Sequence, residues 1–306
     1  MRFQRMNVAL VPRNSFNCLD LAIRFYGRFL IPVLKLWAVV ALPACLLVYL
    51  LSYYFLIEMK TAVTVAYFAS SPLGVLLTWN SALFTFGNTQ GMASLSRQFQ
   101  PRMIPLILRC LLDRALLFIG PALLFYTETF GTSMLGILYL FFPGIWLVLR
   151  NGFRVEQAAL KYIGIAAQEE NSHDHRTKDL ISTHFGTLFW RGLWTFFFCY
   201  LLTCILFITF DYLCYTLLEI NILIGQMPYA FDPDNIGDPI SNALLLMSTD
   251  PRVLTVFTGF ILLIYPVGRL AWFFTYIDLR VRYDCWDMEL RMNEVSQRLT
   301  RREAAL

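Results

Sequence analysis

Four polar side chains stand inside long apolar runs: Asn80 and Asn88 in one, Asp211 in a second and Arg269 in a third. Ionisable and amide groups in such a setting are expensive, and by default they mark a path or a binding site for something polar. Arg269 follows Pro266 and Gly268, while Asn88 is followed by Thr89 and Gln90, so polarity gathers locally. The chemistry open to these residues is transport of a solute or handling of a lipid. A plainer expectation competes with it. Arg269 lies about two turns from one end of its run and its long side chain reaches headgroups from there, while Asp211 sits close to the opposite surface.

A second constellation follows the last apolar run, in Tyr276-Ile-Asp278-Leu-Arg280-Val-Arg282-Tyr-Asp284-Cys-Trp286-Asp287. Asp278 with Arg282, Arg280 with Asp284, and Asp287 with Arg291 are each four apart and face one another on a helix. An exposed pair of this kind contributes only about 0.3–0.5 kcal/mol, too little for stability alone to explain the density. Asp278, Arg280, Arg282, Asp284 and Asp287 are therefore candidates for holding this helix against neighbouring loops or for docking a partner.

Catalytic signatures are missing. There is no G-x-S-x-G, no H-E-x-x-H and no phosphate-cradling glycine loop, so a non-enzymatic protein without cofactor is expected. His173 and His175 flank Asp174, but only His184 remains as a further histidine, so a solvated loop is expected there rather than a metal site. The Cys residues fall in apolar runs or in segments assigned below to the cytoplasm, which argues against a disulfide framework.

The elements that must position these residues are membrane helices. The chain has 306 residues, 58% hydrophobic, 16% aromatic and 15% charged. Soluble domains carry about 25% charged residues, so water is not its main solvent. The net charge of +4 is scattered between apolar runs and forms no basic domain, which excludes nucleic acid as a partner. Crossing a hydrocarbon core of about 30 Å takes about 20 apolar residues. Six runs approach that length, over 29–57, 73–95, 106–126, 134–149, 193–218 and 254–277. The second has apolar residues before it, over 61–69. The third is interrupted by Arg109, Asp113 and Arg114, and Arg114 is expected to snorkel to the interface. The fold class is all-α: one polytopic domain over 1–306, with membrane lipids as its surroundings.

Charge sets the orientation. All of the 25 basic residues except Lys60, Arg252 and Arg269 fall on one side of the six-run pattern, which places both termini in the cytoplasm and the protein in a cytoplasmic membrane. Tyr53, Tyr54 and Phe55 mark an outer interface, and Trp146, Trp190, Trp194 and Trp272 lie toward inner ends. Before the first run, residues 14–28 form an interfacial helix with Phe16, Leu19, Ile23 and Tyr26 on one stripe, either an orienting anchor or a lipid-sensing elbow. The longest inward loop spans 150–191 and the longest outward loop 221–250. Residues 278–300 continue the last helix into the cytoplasm.

Three segments carry a resemblance: Leu10-Val-Pro12-Arg13 through Asp20-Leu-Ala-Ile-Arg24-Phe-Tyr26, Pro143-Gly144-Ile-Trp146 with Arg150, and the run from Tyr276 to Asp287. Together they resemble bacterial six-helix proteins related to the glycerophosphoryl diester phosphodiesterase membrane domain. In family members of that name, hydrolysis belongs to a separate soluble domain, and no segment here is long enough to be one. The resemblance implies a membrane module without the phosphodiesterase, docking proteins or lipids at its cytoplasmic face.

Overall fold

The computed structural model describes residues 14–86, 103–126, 130–162, 181–227 and 245–283. All the secondary structure among them is helical. An apolar chain in lipid has no water to satisfy its backbone, and the helix pairs every interior N–H with a carbonyl of its own segment. The order is α1 (Ser15–Arg28), α2 (Leu30–Phe55), α3 (Met59–Thr85), α4 (Met103–Phe125), α5 (Phe130–Tyr139), a π turn (Leu140–Gly144), α6 (Ile145–Asn151), α7 (Arg154–Tyr162), α8 (Phe185–Leu218), a 3-10 turn (Ile224–Gln226) and α9 (Pro251–Tyr283).

Four helices, α2, α3, α8 and α9, are long and apolar enough to cross a membrane. The third expected span is α4, a continuous helix of 23 residues whose apolar run is interrupted by Arg109, Asp113 and Arg114. The fourth is divided by the π turn, which contains Pro143 and lies between α5 and α6. A π turn inserts one extra residue and interrupts the regular ladder. The second expected span, α3, begins at Met59, well before the run expected from Leu73, because the stretch after Lys60 stays helical up to and through Pro72.

α9 is the axis. It packs against α1, α2, α3 and α8, and from Phe273 to Val281 every residue is buried. At one end, here the Lys60 end, Val48, Ala62 and Leu254 join the end of α2 to the starts of α3 and α9. At the opposite end, the largest cluster brings Phe25, Leu36, Leu77, Phe153, Leu188, Phe274 and Ile277 together. Phe29 stacks on Phe84 at 4.7 Å and Phe25 meets Phe274 edge-on at 5.5 Å, so aromatic rings seal α1 and the start of α2 onto α3 and α9.

α1 buries Cys18, Ala22 and Phe25 against the bundle and leaves Phe16 69% and Ile23 42% exposed. One expectation changes here. The start of the expected inward loop is folded back into the bundle. Phe153 is buried between Trp272 at 4.9 Å and Tyr276 at 5.0 Å, and the Trp272 indole donates to the Gly152 carbonyl at 3.1 Å.

Candidate functional site

Three charged levels follow one another along α9. With a rise of 1.5 Å per residue, Tyr265, Arg269 and Asp278 lie about 21, 27 and 40 Å from its first residue, against a hydrocarbon core of about 30 Å.

At the first level Arg114 turns inward from α4 to the seam between α3 and α9. Its Nη1 donates to the Tyr67 carbonyl and to Ser70 Oγ, and its Nη2 donates to the Tyr265 hydroxyl at 2.8 Å. The guanidinium lies over both rings, 5.1 Å from the Tyr67 centroid and 5.6 Å from that of Tyr265. Pro72 offers no N–H to the Phe68 carbonyl, which loosens the turn of α3 that receives the arginine. Gly74 admits Tyr265: a Cβ there would overlap its hydroxyl and come within 3.3 Å of its Cζ. Among the described residues Arg114 meets no carboxylate. Asp113, next to it in sequence, is engaged by Asn151 at 3.0 Å and Arg154 at 3.4 Å. Arg114 therefore does not snorkel to the interface; neutral oxygens and two aromatic faces hold it inside the bundle.

At the second level Arg269 is also turned inward. Its Nε donates to Thr78 Oγ1 at 2.9 Å, and its Nη2 stands 2.7 Å from Glu156 Oε1 on α7. The headgroup contact expected of Arg269 does not form, because Glu156, fully buried, supplies a counter-charge within the fold. The pair has the distance of an ion pair but not the alignment of a hydrogen bond, and among the described residues neither carboxylate oxygen finds an aligned donor. Burial pushes the Glu156 carboxyl above its ordinary range, and the Arg269 charge beside it opposes that rise.

The third level is Asp278. Arg191 on α8 donates to its Oδ2 at 2.7 Å, and Arg282 approaches its Oδ1 at 3.4 Å. The four-residue spacing of Asp278 and Arg282 does bring them together, but around a carboxylate with no exposure rather than on a solvated face. Arg280 is buried too, at 4% exposure, so neither it nor Asp278 offers a free docking surface. Asp284, Asp287 and Asn88 lie outside the described residues, as do His173 and His175. His184 stacks on Tyr283 at 3.8 Å.

Two other sequence candidates prove to be bound locally. Asp211 is fully buried, and its two oxygens accept the backbone N–H groups of Leu223 at 3.1 Å and Ile224 at 2.9 Å, just beyond the end of α8. It fastens the 3-10 turn back onto α8. Asn80 donates to the Leu76 carbonyl of its own helix at 3.0 Å and borders an apolar recess with Phe25, Val33, Leu36 and Phe84. The residues that sequence spacing missed are Tyr67, Ser70, Glu156 and Tyr265. The sequence signal for Glu156 was its place just after the fourth apolar run, among residues that read as a loop.

An all-helical bundle with four helices able to span a membrane, and with charged groups sequestered between them, defines a membrane protein. No family model, no curated protein and no solved structure matches the chain.

Proposed function

We propose that this chain is a non-enzymatic integral membrane module that handles an anionic lipid or solute through polar groups inside its helix bundle. The observation that carries the reading is the inward turn of Arg114, which sequence alone sends to the membrane surface and which meets no carboxylate among the described residues. Cations drawn into a bundle away from headgroups cost free energy that a binding role explains. The distribution of basic residues supports six helices with both termini in the cytoplasm; a bacterial inner membrane is what the resemblance adds. The resemblance to the phosphodiesterase-associated membrane domain supports a membrane module.

The experiment is reconstitution of the full chain in vesicles carrying labelled anionic lipid on one leaflet, with labelled inorganic anions supplied in parallel. Protein-dependent lipid movement, anion uptake or saturable retention is expected. Behaviour equal to protein-free vesicles in all three assays overturns the reading.

A second reading is the docking of a protein partner at the cytoplasmic face. It is favoured by the exposed Arg282 and Tyr283 at the end of α9, a helix of 33 residues whose length of about 50 Å exceeds the membrane core. Crosslinked purification of the wild type and of Arg282→Ala tests it. A partner retained by the first and lost by the second supports docking, and no enriched partner from either removes it.

A further inference from the structure

We propose that the unused edge of the Arg114 guanidinium, framed by Tyr67, Ser70 and Tyr265, is a binding site for a phosphate-type oxyanion. The proposal rests on the reading that the bundle handles an anionic ligand, and it assigns the site and the chemistry.

A guanidinium carries five N–H donors. Arg114 uses both of those on Nη1, for the Tyr67 carbonyl and Ser70 Oγ, and one on Nη2, for the Tyr265 hydroxyl. Nε has no acceptor among the described residues, and it shares with Nη2 the edge of the guanidinium, a fork that matches two oxygens of a phosphate. The Tyr265 oxygen accepts from Arg114, so its own proton has no acceptor among the described residues and provides a third donor beside the fork.

The plane of the fork is fixed from several directions. Two rings bracket the guanidinium, the Tyr67 hydroxyl donates to the Arg114 backbone carbonyl at 3.4 Å, and Ser70 Oγ is itself held by the Tyr67 carbonyl at 2.8 Å. Gly74 keeps space for the Tyr265 hydroxyl that any larger residue would remove. Arg114 is half-buried, unlike Asp278, which has no exposure. Other arginines of the bundle differ at this point: Arg269 has Glu156 and Arg191 has Asp278, while Arg114 has only neutral partners among the described residues. An oxyanion completes its charge balance. The phosphate could belong to a lipid headgroup or to a soluble ion, and the two sources share this chemistry.

The test uses the full chain in nanodiscs of phosphatidylcholine. Phosphatidylglycerol is added at low mole fraction and its retention read by native mass spectrometry; inorganic phosphate binding is read separately by equilibrium titration. Arg114→Gln is expected to weaken binding about tenfold or more, since two charge-assisted hydrogen bonds are lost. Tyr265→Phe keeps both charge and ring and is expected to weaken it several-fold. If Arg114→Gln does not fold, Tyr265→Phe and Gly74→Ala decide. Retention of phosphatidylglycerol that falls in these variants supports the site with lipid as the source, and phosphate binding that falls while the lipid is not retained supports it with a soluble source. An anion bound equally by wild type and variants overturns the site but leaves the broader reading standing. No anion bound by the wild type in either arm overturns both.

Discussion

Arg114 and Asp278 are both charges enclosed in the same bundle, about 20 Å apart along α9 by helical rise, and their surroundings are opposite. Asp278 sits between two guanidinia, Arg191 at 2.7 Å and Arg282 at 3.4 Å, in the most densely buried stretch of α9. Arg114 has oxygens and rings for company, and no acid among the described residues. The first arrangement satisfies its charge internally and so serves to fasten helices. The second leaves charge and donors unspent, which is what a ligand site needs and a fastening does not. Arg269 and Glu156 stand between them in position and in kind: paired by charge at 2.7 Å but not aligned as a hydrogen bond.

The comparison breaks most readily at Asp278. Removing one member of a buried ion pair typically costs about 3–5 kcal/mol, because the remaining charge loses its compensation. Asp278→Ala is therefore expected to give the largest loss of stability of any single change at these levels, and to loosen the start of α8 from the end of α9. Thermal unfolding in mild detergent, followed by monodispersity on gel filtration, measures it. An unchanged midpoint would mean that Asp278 fastens nothing and that the contrast with Arg114 is false.

Much of this architecture was legible in the sequence, and the failures have a common cause. α2, α8 and α9 follow from apolar runs because a span is a one-dimensional property, set by length and composition. The pairing of Asp278 with Arg282 follows from helical spacing for the same reason. Arg114 and Arg269 turn elsewhere than expected because the direction of a long or charged side chain depends on what lies beside it. Snorkelling is the expectation only when no partner waits inside, and the partners here come from distant segments: Tyr265 is 151 positions from Arg114 and Thr78 is 191 from Arg269. Glu156 was lost for a related reason. A short segment between spans reads as a loop, and nothing local says that Phe153 and Glu156 fold back under Trp272 and Arg269.

The intermediate level sharpens the contrast through a mutant cycle. Glu156→Leu and Arg269→Met each abandon a buried charge, so each alone is expected to destabilise. The double variant replaces the pair with apolar side chains and should be more stable than either single one, with a coupling energy of roughly 1–3 kcal/mol. Unfolding midpoints of the four proteins give the term directly. Strict additivity would show that the 2.7 Å approach carries no energetic coupling, leaving Arg269 closer in kind to Arg114 than to Arg191.

The smallest effect tests whether setting, rather than spacing, separates these charges. Asp20 and Arg24 on α1 have the same four-residue spacing as Asp278 and Arg282 and a shorter contact, 3.0 Å against 3.4 Å. Distance alone would rank the α1 pair higher. Its side chains are 57% and 77% exposed, however, whereas Asp278 has no exposure, so solvent and salt screen the first pair and not the second. Asp20→Ala is expected to lower stability by no more than about 0.5 kcal/mol and to lose even that at high salt. A loss as large as that of Asp278→Ala would instead mean that α1 is held to the bundle through its charges rather than through Cys18, Ala22 and Phe25, the residues it buries against the core.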